Sequence, residues 1–193
     1  MKTKISTMLL FGMAAVVAVV LYTVMTHNQL IQAEENAATK WAQVDNQLKR
    51  RADLIPNLVE TVKGYAAHEK EAIEAVSNAR NRVASATTSA DLIQSNWLLT
   101  GALGSFRTAF SGYPELRANE QFKQLMDSLE GTENRLAVAR RDYNEAAAAY
   151  NSKRRQFPGN VLASVSGLEP KPYYEASERE RETPVVNFGG AKP

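Results

Sequence analysis

Apolar and polar residues follow three regimes along this chain: an unbroken apolar run, a long stretch with helical periodicity, and a final charged stretch without a face. The apolar run comes first. From Ile5 to Thr26, 22 consecutive residues carry no charge. At about 1.5 Å per residue, a helix of that length reaches roughly 33 Å and can cross a hydrocarbon core of about 30 Å. A transmembrane helix is predicted over residues 5–26, behind a short flank at 1–4, with Tyr22 near one interface. A cleaved signal sequence has a shorter apolar core, roughly 7–15 residues, and a small-x-small site. Here the core is longer, and Ile31-Gln32-Ala33 begins with a bulky residue, so an uncleaved anchor is expected.

Residues 30–168 read as helices. Leu30, Trp41, Val44, Leu48 and Ile55 fall on one face of a first helix. Pro56 lacks a backbone donor and restricts Ile55, so a turn or kink is expected at Asp53–Asn57. A second helix is predicted from Leu58 to Ser85, with Leu58, Val62, Tyr65, Ile73, Val76 and Val83 as its stripe. Residues 84–90 lose the pattern and supply capping residues, which reads as a loop. A third helix covers about 90–111. Gly101 and Gly104 lie inside it at about 1 kcal/mol each against Ala, so close approach of a neighbouring helix is expected there. Ser111-Gly112-Tyr113-Pro114 reads as a turn. In the fourth helix, Phe122, Leu125, Leu129, Thr132, Leu136, Ala139, Tyr143, Ala146 and Tyr150 recur in steps of three and four, a heptad seam. Phe157-Pro158-Gly159-Asn160 ends it, and no strand pattern occurs.

The predicted fold is all-α: a single N-terminal transmembrane helix followed by an antiparallel up-and-down four-helix bundle with a capping segment over 27–168. Short links force sequential helices to pack antiparallel. The fourth helix then returns toward the membrane, and Lys153-Arg154-Arg155 should approach the bilayer. Phe157, Val161, Leu162 and Val165 follow. They either cover the open end of the bundle, as apolar residues usually do, or sit with their basic neighbours at the headgroup interface. Residues 169–193 read as a mostly irregular tail. Its apolar cluster, Val185-Val186-Asn187-Phe188, is a candidate for docking on the bundle or binding a partner.

Charge adds an orientation. The chain has 193 residues and a formal charge of +2, and Lys2 and Lys4 account for that excess. The other 21 basic side chains balance the 21 acidic ones. A folded part without net charge argues against nucleic-acid binding. Only Lys40 is basic in the 15 residues after the span, so the positive-inside rule favours a cytoplasmic N-terminus and an exported, periplasmic-side domain. A basic bundle end against the bilayer pulls the other way, toward an anionic cytoplasmic leaflet.

The search for chemistry returns little. The chain has no Cys and two His, His27 and His68. His27 follows the span and reads as interfacial. His68 has neither a second His four residues on nor a Glu three residues before, so neither a zinc motif nor a di-iron motif is present. No phosphate-binding glycine loop appears, and Glu71 and Glu74 read as a solvated face. No catalytic, cofactor or metal site is expected. The candidate interaction or membrane-interface surface comprises Lys49, Arg50 and Arg51, and Lys153, Arg154, Arg155 and Phe157. Arg140-Arg141 is a third basic cluster. The bland reading of each cluster is a solvated helix face, and cations near a helix C-terminus also complement its dipole.

Trp41-Ala42-Gln43-Val44-Asp45-Asn46-Gln47-Leu48-Lys49-Arg50-Arg51-Ala52-Asp53-Leu54-Ile55-Pro56-Asn57-Leu58-Val59-Glu60-Thr61-Val62-Lys63-Gly64-Tyr65 resembles the signature of LemA family proteins. So do Leu129-Glu130-Gly131-Thr132-Glu133-Asn134-Arg135, Tyr143-Asn144 and Phe157-Pro158-Gly159-Asn160. The resemblance spans about residues 20–190. It implies a bacterial inner-membrane protein with one span and a helical bundle, and it brings no catalytic residues. A magnetosome-associated branch adds weight to a membrane-organising role by analogy. The expected function is a non-enzymatic membrane-anchored scaffold, with the lipid bilayer and an unidentified protein as partners. The second reading is an accessory factor in envelope stress or proteolysis that presents its tail to a partner.

Overall fold

The computed structural model describes residues 2–65 and 69–175, and every regular element among them is helical. They are α1 (Lys2–Val62), a 3-10 turn (Lys63–Tyr65), α2 (Lys70–Ser85), α3 (Ser89–Phe110), α4 (Pro114–Ala118), α5 (Glu120–Arg155) and α6 (Gly159–Val165). The all-α class and the long apolar N-terminal helix are as expected. The count of four bundle helices is not, because five helices follow α1. His68, and the tail from Ala176 with its Val185–Phe188 cluster, lie outside the described residues.

The first correction concerns Pro56. It does not end the first helix, because α1 runs through it to Val62. Proline in a helix interior costs about 3 kcal/mol. Ile55, Leu58 and Val62 are almost fully buried, and burying such side chains contributes about 1.5–3 kcal/mol each. Keeping all three in the core requires the helical phase to persist through residue 56. Pro56 itself is exposed, so its ring meets water. The second helix therefore starts at Lys70, twelve residues later than the periodicity predicts.

α5 lies antiparallel along α1, and three successive core clusters mark their common axis. Near the apolar run, Leu30 of α1 meets Tyr150 of α5 and Ala163 of α6. In the middle, Val44 and Leu48 meet Leu136, Ala139 and Tyr143. At the far end, Ile55, Leu58 and Val62 join Phe122, Leu129 and residues of α2, α3 and α4. The α2–α3 hairpin covers only the far and middle levels. At about 1.5 Å per residue, α2 is roughly 24 Å long against roughly 54 Å for α5. Below the hairpin, α6 and the extended residues 168–174 complete the packing. Of the positions predicted to face inward on α5, all are buried except Leu125, which is half-buried, and Thr132 in their middle donates to the Ser128 carbonyl.

Local chemistry sets the boundaries. Thr88 caps α3 by accepting from the Asp91 backbone amide, and it donates to the Asp91 carboxylate. Asn119 caps α5 by accepting from the Phe122 amide. The glycines of α3 depart from expectation: a Cβ placed on Gly101 or Gly104 would meet nothing within 4 Å. They serve no close approach. Gly159 does, since a Cβ there would stand 2.3 Å from the Lys153 carbonyl oxygen.

Candidate functional site

The end of α5 comes to lie beside the last turns of the apolar run. Lys153, Gln156, Phe157, Pro158 and Gly159 share a cleft of about 160 Å³ with Tyr22, Met25, Thr26, Gln29 and Leu30. Lys153 and Arg155 are exposed. Arg154 is half-buried, and its Nε donates to the Leu168 carbonyl at 2.6 Å, so this guanidinium holds the following segment instead of facing outward. Phe157 is 81% exposed. Of the two readings for Phe157, Val161, Leu162 and Val165, covering the bundle end is corrected for three of them: Gly159 and Ala163 take the inward positions, Leu162 is half-buried, and Phe157, Val161 and Val165 are exposed.

The Lys49-Arg50-Arg51 cluster divides. Lys49 is exposed and pairs with Asp45 at 2.7 Å, and Arg50 is exposed. Arg51 is not a surface residue. It follows Leu48 by three positions on the buried face of α1 and is only 5% exposed. Its Nη1 donates to Asn96 Oδ1 at 3.1 Å and Thr100 Oγ1 at 3.0 Å, and it contacts Glu133 Oε2 at 2.7 Å. Burial lowers the Arg51 pKa, and Glu133 opposes that shift. Glu133 also faces Arg140 at 3.7 Å. The Arg140 guanidinium lies 4.6 Å from the Trp97 ring centre and 4.5 Å from the Tyr174 ring centre, a cation set over two rings that pack edge-on against each other. Arg140 thus leaves the list of solvated clusters, while Arg141 remains exposed.

Beyond α6, residues 171–175 have no regular structure, yet the segment from Leu168 onward is bound along α1 and α5. Tyr174 is 4% exposed, and its hydroxyl accepts from Asn96 Nδ2 at 2.9 Å. Burial raises the Tyr174 pKa, while Arg140 and the Asn96 hydrogen bond pull it down. Asn144 donates to the Tyr174 carbonyl and accepts from its amide. Asn151 does the same for Lys171. Tyr143 and Tyr150 donate to the Pro172 and Glu169 carbonyls, and burial pushes the Tyr143 hydroxyl up to about 12. Lys171 Nζ reaches Glu34 of α1 at 2.8 Å. Sequence reading missed this docked segment. Its signal was present as two asparagines one heptad apart beside tyrosines of the seam.

Among the described residues, no group of three or more His, Asp or Glu could hold a metal ion. A family model described as "LemA family" matches residues 40–188. The chain belongs to the LemA family. Relatives include the magnetosome proteins MamQ 1 and MamQ 2 of Paramagnetospirillum magneticum and MamQ of Magnetospirillum gryphiswaldense. Each is 25% identical over 205 residues, covering 93% of this chain and 75% of the relative. In this LemA protein the runs that carry the family likeness meet in space. Trp41 packs edge-on against Tyr143 with ring centres 5.0 Å apart, and Arg51 meets Glu133. The apolar part of α1 is long enough to cross a membrane, and its side chains from Leu10 to Tyr22 are exposed.

Proposed function

We propose that this chain is a non-enzymatic, membrane-anchored helical scaffold that holds a protein partner or the bilayer at a fixed geometry. The observation that carries this reading is the continuity of α1: one helix passes from the apolar run into the domain core without a break. Such an element couples the anchor stiffly to the domain, which suits positioning. Its buried Arg51 is committed to internal contacts with Asn96, Thr100 and Glu133, and the names of the magnetosome relatives carry no reaction to this chain. The exposed pair Lys49 and Arg50 is the candidate protein-facing patch. The lysines ahead of the span support an exported, periplasmic-side position for the domain at the bacterial inner membrane. A reporter fused at Pro193, read on both sides, tests that orientation.

The scaffold reading is tested by inserting a flexible Gly-Ser segment between Asn28 and Gln29. Cross-linking in cells should capture fewer partners from this variant than from wild type, although it stays anchored and folded. An unchanged partner set overturns the reading. In parallel, Lys49→Ser with Arg50→Ser should reduce capture if the patch is used.

A second reading rests on Tyr174. Because Tyr174 is locked into the core, the tail beyond it departs from a fixed point. That favours presentation of the tail to an envelope-stress or proteolysis factor. Deleting residues 184–193 tests this, and a fully functional truncation counts against it.

A further inference from the structure

We propose that α6 is a second membrane contact: a short helix lying in the headgroup layer beside the span, its outer face inserted among phospholipids with anionic headgroups. The proposal rests on the reading that residues 5–26 cross the bilayer, and it adds a lipid-binding surface to that anchor.

The geometry comes from spacing. On a helix of 3.6 residues per turn, Gly159 and Ala163 share one face. Both are buried against the bundle. Val161 and Val165, with Phe157 just ahead of the helix, fall on the opposite face. They are 51%, 83% and 81% exposed. A short helix on a soluble domain normally turns polar residues outward. Single exposed apolar residues are ordinary, but an aligned set marks a binding surface.

Position names the occupant. Phe157 shares a cleft with Tyr22 and Met25, at the end of the apolar run. If residues 5–26 fill the hydrocarbon core, Tyr22 and Met25 lie at its edge, and Phe157 is at headgroup depth. Lys153 and Arg155 are exposed one turn away, where cations meet lipid phosphates. Phenylalanine and valine beside basic residues are the composition of an interfacial helix.

α6 is also rigidly mounted. The Gly159 backbone sits so close to the Lys153 carbonyl that no side chain fits between them. At the other end Gly167 adopts φ +67°, and the Leu168 amide donates back to the Ala163 carbonyl at 2.9 Å, which closes the helix. Arg154 then ties Leu168 to α5. A surface held this firmly binds lipid without first having to order itself.

The chain has no cysteine, so single labels can be placed cleanly. Full-length protein carrying Val161→Cys or Val165→Cys would be labelled with a fluorophore and placed in nanodiscs of phosphatidylcholine and phosphatidylglycerol. Val17→Cys and Lys49→Cys serve as references for lipid and water. The proposal expects a quencher attached to lipid to act on the 161 and 165 labels at least several-fold more than on the label at 49. A water-soluble quencher should show the reverse order. Quenching at 161 and 165 equal to that at 49, with the label at 17 in lipid, overturns the proposal and leaves the anchor intact. A label at 17 in water defeats the anchor reading as well. Labels at 161 and 165 shielded from both quenchers mean that protein covers the face, which also overturns it. Lys153→Gln with Arg155→Gln should reduce the lipid quenching when phosphatidylglycerol is present. No change on that substitution overturns the preference for anionic headgroups.

Discussion

Asn144 and Asn151 stand seven residues apart on α5 and grip the backbones of Tyr174 and Lys171, which stand three apart on the extended segment. The two spacings match. Seven helical residues rise about 10.5 Å, and three extended residues span about 10 Å. Each carboxamide offers one donor and one acceptor, so it satisfies a backbone carbonyl and a backbone amide at once, as a neighbouring strand would.

Replacing either asparagine removes two hydrogen bonds and strands two backbone groups. At about 1 kcal/mol per bond, Asn144→Ala or Asn151→Ala should lower stability by about 1–3 kcal/mol. Hydrogen exchange should quicken at the Lys171 and Tyr174 amides first. Equal protection in wild type and variant would show that the segment's other contacts, among them those of Arg154, Lys171 and the tyrosines, suffice to hold it.

Arg51 supplies the second test. Arg51→Met removes the donor to Asn96 Oδ1 and Thr100 Oγ1 and leaves Glu133 only its longer contact with Arg140. Removing one member of a buried pair costs about 3–5 kcal/mol. Glu133 is 37% exposed and can hydrate, so about 2–3 kcal/mol is expected, read by denaturant unfolding. Glu133→Gln in the same chain should recover part of it. Lys49→Ser and Arg50→Ser should each change stability by no more than about 0.5 kcal/mol.

The glycines separate by sign. Gly101→Ala and Gly104→Ala add a Cβ in open space within a helix and should each stabilise by about 0.5–1 kcal/mol. Gly159→Ala drives a methyl group into the Lys153 carbonyl and should destabilise by about 1–3 kcal/mol. Thermal unfolding of the three variants checks the order.

Alkaline titration reads the tyrosines that hold the segment. Burial raises the Tyr143 pKa from its ordinary 10.0 to about 12. The folded state then keeps this proton where the unfolded chain loses it. Stability from this group is full below about pH 10 and is lost as pH rises toward 12. Tyr143→Phe should flatten that part of the profile, at the cost of the bond to the Pro172 carbonyl.

The seam of α5 could be read from periodicity because every third or fourth position is buried, and burial is what periodicity reports. The helix break at Pro56 was misplaced because a local penalty was weighed without Leu58 and Val62, the two core residues beyond it. Arg51 was read by its charge, although its phase relative to Leu48 put it inside. The docked segment was hidden for a different reason. It buries few apolar side chains and is held through its own backbone by side chains far away in sequence, so its residues look like a loop. The exposed apolar side of α6 was visible as residues, but which of them faced inward depended on the close fit of Gly159.

The unbroken course of α1 turns the bilayer into a control on the domain's reach. About 36 residues of α1 project beyond Thr26, a lever of roughly 54 Å. Spans adjust to hydrophobic mismatch by tilting. Without a hinge, a change of about 10° within the lipid swings the far core by roughly 9 Å. Membrane thickness would then be converted into the lateral position of the tip.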